Sequence, residues 1–267
     1  MRSFLQLAAV FAVSFLGSLV AGGNPWLTLL AGTATAVLAL VVYVRIGRRP
    51  SPDLPREGAA VAFGRGAVLG AALFTAVIAV IALLGGYRVE GWGSLSGAAA
   101  LLGLMLAAAV TEELIFRGVL FRVVEARTGT WTALALTGAL FGLMHLLNPH
   151  ASLWGAVAIA IEAGGMLGAA YAATRTLWLP IGLHWAWNFA EAGVFGTDVS
   201  GNDTAQGLLD GALSGPVLLS GGTFGPEASL ASVVGGVMAT VAFMALARRR
   251  GRVLPRRSRR PAATLSR

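Results

Sequence analysis

Four places in this sequence interrupt apolar stretches with residues that can do chemistry: Glu112-Glu113 with Arg117, His145, Glu162, and His184 with Asn188. A carboxylate acting as general base can deprotonate a water held against an imidazole, and that water can attack a peptide carbonyl. Glu112 or Glu113 with His145 supplies such a pair. An Asn amide and an imidazole N–H can then hold the developing oxyanion, a role that suits His184 and Asn188. Arg117 lies one helical turn beyond Glu113 and can balance the charge of a desolvated carboxylate. Two imidazoles and a carboxylate are equally a zinc set with one position left for water. Glu113, His145 and His184 would be the ligands, and spacing alone leaves both chemistries open. No His-Glu-x-x-His stretch occurs, so a zinc site would have to be assembled from three helices.

The elements that must position these groups are membrane spans. Of 267 residues, 56% are hydrophobic and 12% charged, with a mean hydropathy of +0.75. Such a chain cannot cover itself with a water-compatible surface. Its apolar residues fall in blocks of about 17–25, the length that crosses a hydrocarbon core as helix. The expectation is an all-α polytopic membrane protein of about eight transmembrane helices, near 4–21, 26–44, 66–84, 98–122, 131–148, 153–173, 177–195 and 229–247. With no cysteine, disulfides, thiolate metal sites and a Cys nucleophile are excluded.

Charge sets the orientation. Every basic residue is Arg, and one set of alternate connections holds Arg2, five Arg in 45–65, Arg122, Arg127, Arg175 and nine beyond 247, against Arg88 on the other side. This asymmetry places both termini in the cytoplasm of an integral protein of the bacterial plasma membrane. The net charge of +8 is thereby explained by topology, and nucleic acid is not an expected partner. The basic tail after 247 reads as a disordered orientation signal that can lie on anionic lipid. The organisation expected is 1–94, N-terminal transmembrane helices; 95–195, catalytic core; 196–228, a long, flexible external loop; and 229–267, the last transmembrane helix with its basic tail.

Depth along the helices brings the chemistry together. Leu101 to Arg127 reads as one helix, turned back at Gly129 into the next span. Glu113 lies 16 residues before Gly129 (129−113) and His145 16 after it (145−129), so both sit about 24 Å from the turn. Counted inward from Arg175, His184 is nine residues along and Asn188 thirteen. The latter two are an i, i+4 pair on one helix face. Glu162 lies at nearly the depth of Asn188 and is a candidate cavity-lining or substrate-contacting residue, or a carboxyl hydrogen-bonded between helices. Trp187 is a second candidate for shaping the pocket. His150 reads as a solvated loop residue, and the small residues of Gly164 to Ala170 read as close helix packing.

The runs TEELIFRG, FGLMH and HWAWN, in that order, resemble the CPBP family of intramembrane peptidases, the CAAX-processing and bacteriocin-processing group. The resemblance spans roughly 95–195. It implies that Glu112, Glu113, Arg117, Phe141, His145, His184 and Asn188 are the family positions, with Phe141 near the substrate, and that the site opens toward the cytoplasm. It also implies an endopeptidase acting on a membrane-associated protein or peptide, with either zinc or a metal-free, glutamate-activated water. Prenylated substrates are not implied for a bacterial chain. Two other classes fit the same residues: a proton- or ion-coupled transporter, since membrane Glu and His form proton relays, and a non-catalytic peptide-binding or immunity protein.

Overall fold

The computed structural model describes residues 1–20, 24–47, 51–204 and 207–256. Helices α1 (Arg2–Val20), α2 (Pro25–Ile46) and α3 (Ala59–Leu83) lead to strand β1 (Tyr87–Trp92). Next come α4 (Leu95–Glu113), α5 (Arg122–Thr128) and α6 (Thr130–Met144), then α7 (Leu153–Ile159), α8 (Met166–Thr174) and α9 (Trp178–Asn188). The chain closes with β2 (Leu209–Leu213), α10 (Val217–Ser220) and α11 (Leu230–Arg249). The fold is all-α and polytopic. Among the described residues seven helices are long and apolar enough to cross a membrane. The expected span over 177–195 is the shortfall from eight: α9 has 11 residues and is continued by six more, Phe189–Val194. That helix is buried between α3 and α4, so its packing compensates for its length.

Local chemistry sets the boundaries. Asn24 accepts from the backbone N–H groups of Trp26 and Leu27 ahead of Pro25, and Ser94, Ser152 and Ser229 cap α4, α7 and α11 in the same manner, satisfying donors that the first turn leaves free. Gly129, at φ 84°, makes the tight reversal between α5 and α6 that an L side chain would resist.

Close helix contact rests on glycine. A Cβ on Gly66 or Gly70 would strike the α9 backbone at Leu179 or Leu183, and Gly182 meets Phe63 from the other side. Gly32 and Gly103 join α2 to α4 in the same way, and Gly164 lies against Gly138. Between lipid-solvated helices, where burial gives little drive, such close approach supplies the van der Waals contact that holds them. The outward faces are apolar: Phe4, Leu19, Val68 and Met238 are all exposed.

The two polar ends are built differently. At the Arg-rich end, Asp53 is buried and accepts from Tyr171 Oη at 2.7 Å and from Arg122. Glu125 takes Arg175 at 2.5 Å and Thr130 Oγ1 at 2.6 Å. The start of the basic tail is packed here rather than loose, with Leu254 N on Thr130 Oγ1 at 2.8 Å and Arg250 on Ala173 O at 3.0 Å. Residues 257–267, the rest of the tail expected to be disordered, lie outside the described residues.

At the other end, the stretch expected to be a flexible loop is a structured cap. Its strand β2 pairs antiparallel with β1, from Tyr87 opposite Leu213 to Trp92 opposite Leu209. Asn148 Nδ2 donates to Ser200 O at 2.7 Å, His150 meets Asp203 at 2.8 Å and Trp154 Nε1 donates to Ala228 O at 2.7 Å. Glycines and polar residues gave this segment the composition of a loop, but their hydrogen bonds are made within the cap, as Ser200 to Glu227 and Thr204 to Asp198, and to the turn after α6.

Candidate active site

Three of the helices packed around the site carry a π-helical turn at its level, while α6, which brings His145, does not. Leu114–Phe121 follows Glu113 and contains Arg117; Ala160–Gly165 contains Glu162; Phe189–Val194 follows Asn188 and contains Glu191. An i→i+5 turn widens the helix and frees a carbonyl, which is why such turns gather at functional sites. Ala163 uses that freedom, accepting from Arg117 Nη2 at 3.0 Å.

Glu113 is the hub. It is fully buried, and its Oε1 accepts from Arg117 Nη1 at 2.6 Å and from His184 Nδ1 at 3.0 Å. Arg117 also lies 4.8 Å over the Phe141 ring, so the buried guanidinium has a carboxylate, a backbone carbonyl and an aromatic face as partners. Glu112 points elsewhere, as neighbouring helix positions must. Its side chain is 33% exposed, and Oε2 lies 3.8 Å from His184 Nε2. One imidazole thus sits between two carboxylates of unlike surroundings.

The pairing differs from the expected one. Equal depth suggested that Glu113 meets His145, but depth says nothing of azimuth, and Glu113 turns to His184. His145 instead donates from Nδ1 to Phe141 O at 2.7 Å. That bond leaves Nε2 with the lone pair of the neutral ring. Phe141 packs against both imidazoles, 4.8 Å from His145 and 6.1 Å from His184.

Glu112, Phe141, His145, His184 and Asn188 line one cavity of about 810 Å³. Asn188 has no protein partner for its amide among the described residues, so that donor is available to a ligand. Two expected pocket residues are not on the wall. Trp187 is buried edge-on against Phe74 at 5.2 Å, and Glu162 is buried with both carboxylate oxygens unpartnered. Both lie on helix faces turned away from the chamber, which depth counting could not resolve.

Glu227 is the wall residue that sequence reasoning missed. It comes from the short turn Pro226–Ala228 of the cap, is buried, and accepts from Ser200 Oγ at 2.5 Å. Burial holds its carboxyl above the usual range, offset in part by Ser200, His145 and His184. The only sequence signal was an acidic residue between Pro226 and an apolar span. Glu191, also unread in the sequence, is fully buried beside Glu162 and Glu227.

Zinc would need three of these donors turned to one point. Glu113 Oε1 is shared by Arg117 and His184 while its Oε2 is buried without a partner, and the His145 Nδ1 bond to Phe141 O leaves Nε2 free, as in metal-ligating histidines. Among the described residues no three His, Cys, Asp or Glu side chains group as metal ligands. The expected set of Glu113, His145 and His184 does not form a cage as placed.

No curated protein matches the chain. A family model does, over residues 92–190, and it is described as type II CAAX prenyl endopeptidase Rce1-like. All three motifs, and every catalytic candidate from Glu112 to Asn188, fall inside that match. Over residues 92–190 the chain is similar to the Rce1-like type II CAAX prenyl endopeptidase family, in line with the CPBP resemblance of its motifs.

Proposed function

We propose that this protein is an intramembrane endopeptidase that hydrolyses a peptide bond of a membrane-associated protein or peptide with a carboxylate-activated water. The observation that carries the reading is the convergence of Glu112, His145, His184 and Asn188, from three separate helices, on one cavity. Glu112 is the general base, because it is the carboxylate of the pair that reaches the chamber. Glu113 is the positioning group, clamped by Arg117 and holding His184 by Nδ1.

In the reaction, Glu112 takes a proton from water while His145 Nε2 accepts its second hydrogen bond and aligns it. The water oxygen bonds to the carbonyl carbon, and the carbonyl electron pair moves to oxygen. Asn188 Nδ2–H faces that oxyanion, and a hydrogen on His184 Nε2 completes the pair of donors. Glu112 then returns its proton to the amide nitrogen as the C–N bond breaks, leaving a carboxylic acid and an amine. Aligned base and donors of this type supply about 10²–10⁴-fold each.

The test is cleavage of a membrane-peptide library by purified protein beside Glu112→Ala, His145→Ala and Asn188→Ala. Unchanged cleavage by all three rules the assignment out. One observation favours an ion-coupled transporter instead: Glu162 and Glu191 are fully buried carboxylates beside the chamber. Solute uptake in proteoliposomes that Glu162→Gln abolishes, with no peptide cut, would establish that second reading.

A further inference from the structure

We infer that the chamber opens at the Arg-poor end of the bundle, so that the bond it hydrolyses lies in a membrane-anchored segment presented on the extracytoplasmic side. The inference names the substrate class for the peptidase reading above and rests on it. It begins with the two ends of the molecule. Asp53, Arg122, Glu125, Arg175 and the start of the basic tail are packed together at one end, and 18 of the 20 Arg belong to the connections of that side. Positive-inside bias places this end in the cytoplasm. The opposite end carries Arg88 against Glu90, Asp198, Asp203 and Asp210.

The cavity belongs to the second end. Its polar wall includes Asn148 from the turn after α6 and Ser200, Asn202, Asp203, Thr204 and Glu227 from the cap; its apolar floor reaches down to Leu7 and Leu120, while Asp53, Arg122, Glu125 and Arg175 line none of it. His145 follows the last residue of α6, one turn before Asn148, about 24 Å along the helix from the Gly129 turn. On a hydrocarbon core of about 30 Å that is close to the far boundary. Below the site the bundle is sealed by the packed core of Val110, Leu114, Phe121, Tyr171 and Leu177. The cytoplasmic opening implied by the motif resemblance and the cytoplasmic termini implied by the Arg count therefore cannot both hold, and the charge asymmetry decides.

The other wall of the cavity is greasy and faces lipid. Phe11, Leu104, Leu140 and Met144 line it and are 36–62% exposed. A substrate that suits both walls has one flank in the outer leaflet and an extended polar stretch entering from the external water.

The chain has no cysteine, so a single introduced one is a unique label. In intact cells a membrane-impermeant maleimide is expected to modify Asp203→Cys at the mouth and leave Glu57→Cys, at the Arg-rich end, untouched until permeabilisation. A small impermeant methanethiosulfonate is expected to reach Glu112→Cys from the same side as Asp203→Cys, with Asn202→Cys as a second chamber position. Labelling of Glu112→Cys and Asn202→Cys from the opposite side, or from neither, overturns the inference, as does reversed labelling of Asp203→Cys and Glu57→Cys. None of these readouts needs turnover. Labelling as expected in a protein that cleaves nothing would therefore sink the peptidase reading and leave the orientation standing.

Discussion

Glu113 and His184, 71 residues apart in sequence, are joined by a 3.0 Å hydrogen bond in the interior of the bundle. The bond fixes which face of the imidazole looks at the chamber. It also ties two of the three family motifs into one polar unit that Arg117 completes, and the members of that unit do not respond alike to substitution.

Glu113→Ala leaves the Arg117 guanidinium buried without its carboxylate, a loss of about 3–5 kcal/mol for a pair of this type. Lower yield and an earlier unfolding transition in detergent are expected. Glu112→Gln removes no such support, because that side chain is partly exposed in the cavity. It should unfold as wild type does while losing about 10²–10⁴-fold in activity. Equal thermal shifts in the two variants would refute the division of labour between the carboxylates.

Asn188→Ala tests the oxyanion site. Among the described residues its amide makes no hydrogen bond to lose, so stability is expected to hold while kcat falls by about 10²–10³-fold. A rise in KM at unchanged kcat would assign Asn188 to substrate binding instead.

Gly70→Val probes positioning through packing alone. A Cβ there meets the backbone of Leu183, the residue before His184. The variant is expected to insert into membranes and retain helical circular dichroism, yet lose activity because α9 is displaced. Full activity would show that the α3–α9 contact does not set the imidazole.

Glu227 predicts a pH slope. Its carboxyl is held above the usual range, chiefly by burial, so the native state binds that proton more tightly than the unfolded chain. Its contribution is fully present below the unfolded carboxylate value of about 4.3 and is lost as pH rises through the elevated native value. Glu227→Gln is expected to remove this component and to gain stability relative to wild type toward neutral pH, read from unfolding transitions across the series. Parallel pH profiles for the two proteins would refute it.

Chelation offers a further check. Since no three His, Asp or Glu side chains group as metal ligands among the described residues, activity is expected to survive exhaustive dialysis against a chelator. Loss of cleavage, restored by added zinc, would require the site to rearrange around the metal.

What the sequence determined by itself follows from short-range physics. Span length and apolar content dictate helices that cross a bilayer, Arg counts separate the two sides, and i, i+4 spacing puts Glu113 against Arg117 on one helix. Three ordered motifs named the groups that would meet. The sequence could not give azimuth, because residues at one depth can face any of several neighbours. Only the packing of α4, α6 and α9 turned Glu113 to His184, left His145 on Phe141 O, and set Trp187 and Glu162 off the chamber wall. Nor could composition show that 196–228 folds into a cap that delivers Glu227, since its polar groups are satisfied by partners tens of residues away. Which residues form the chamber's polar wall was likewise set in three dimensions, by the cap folding Ser200 to Thr204 and Glu227 over it.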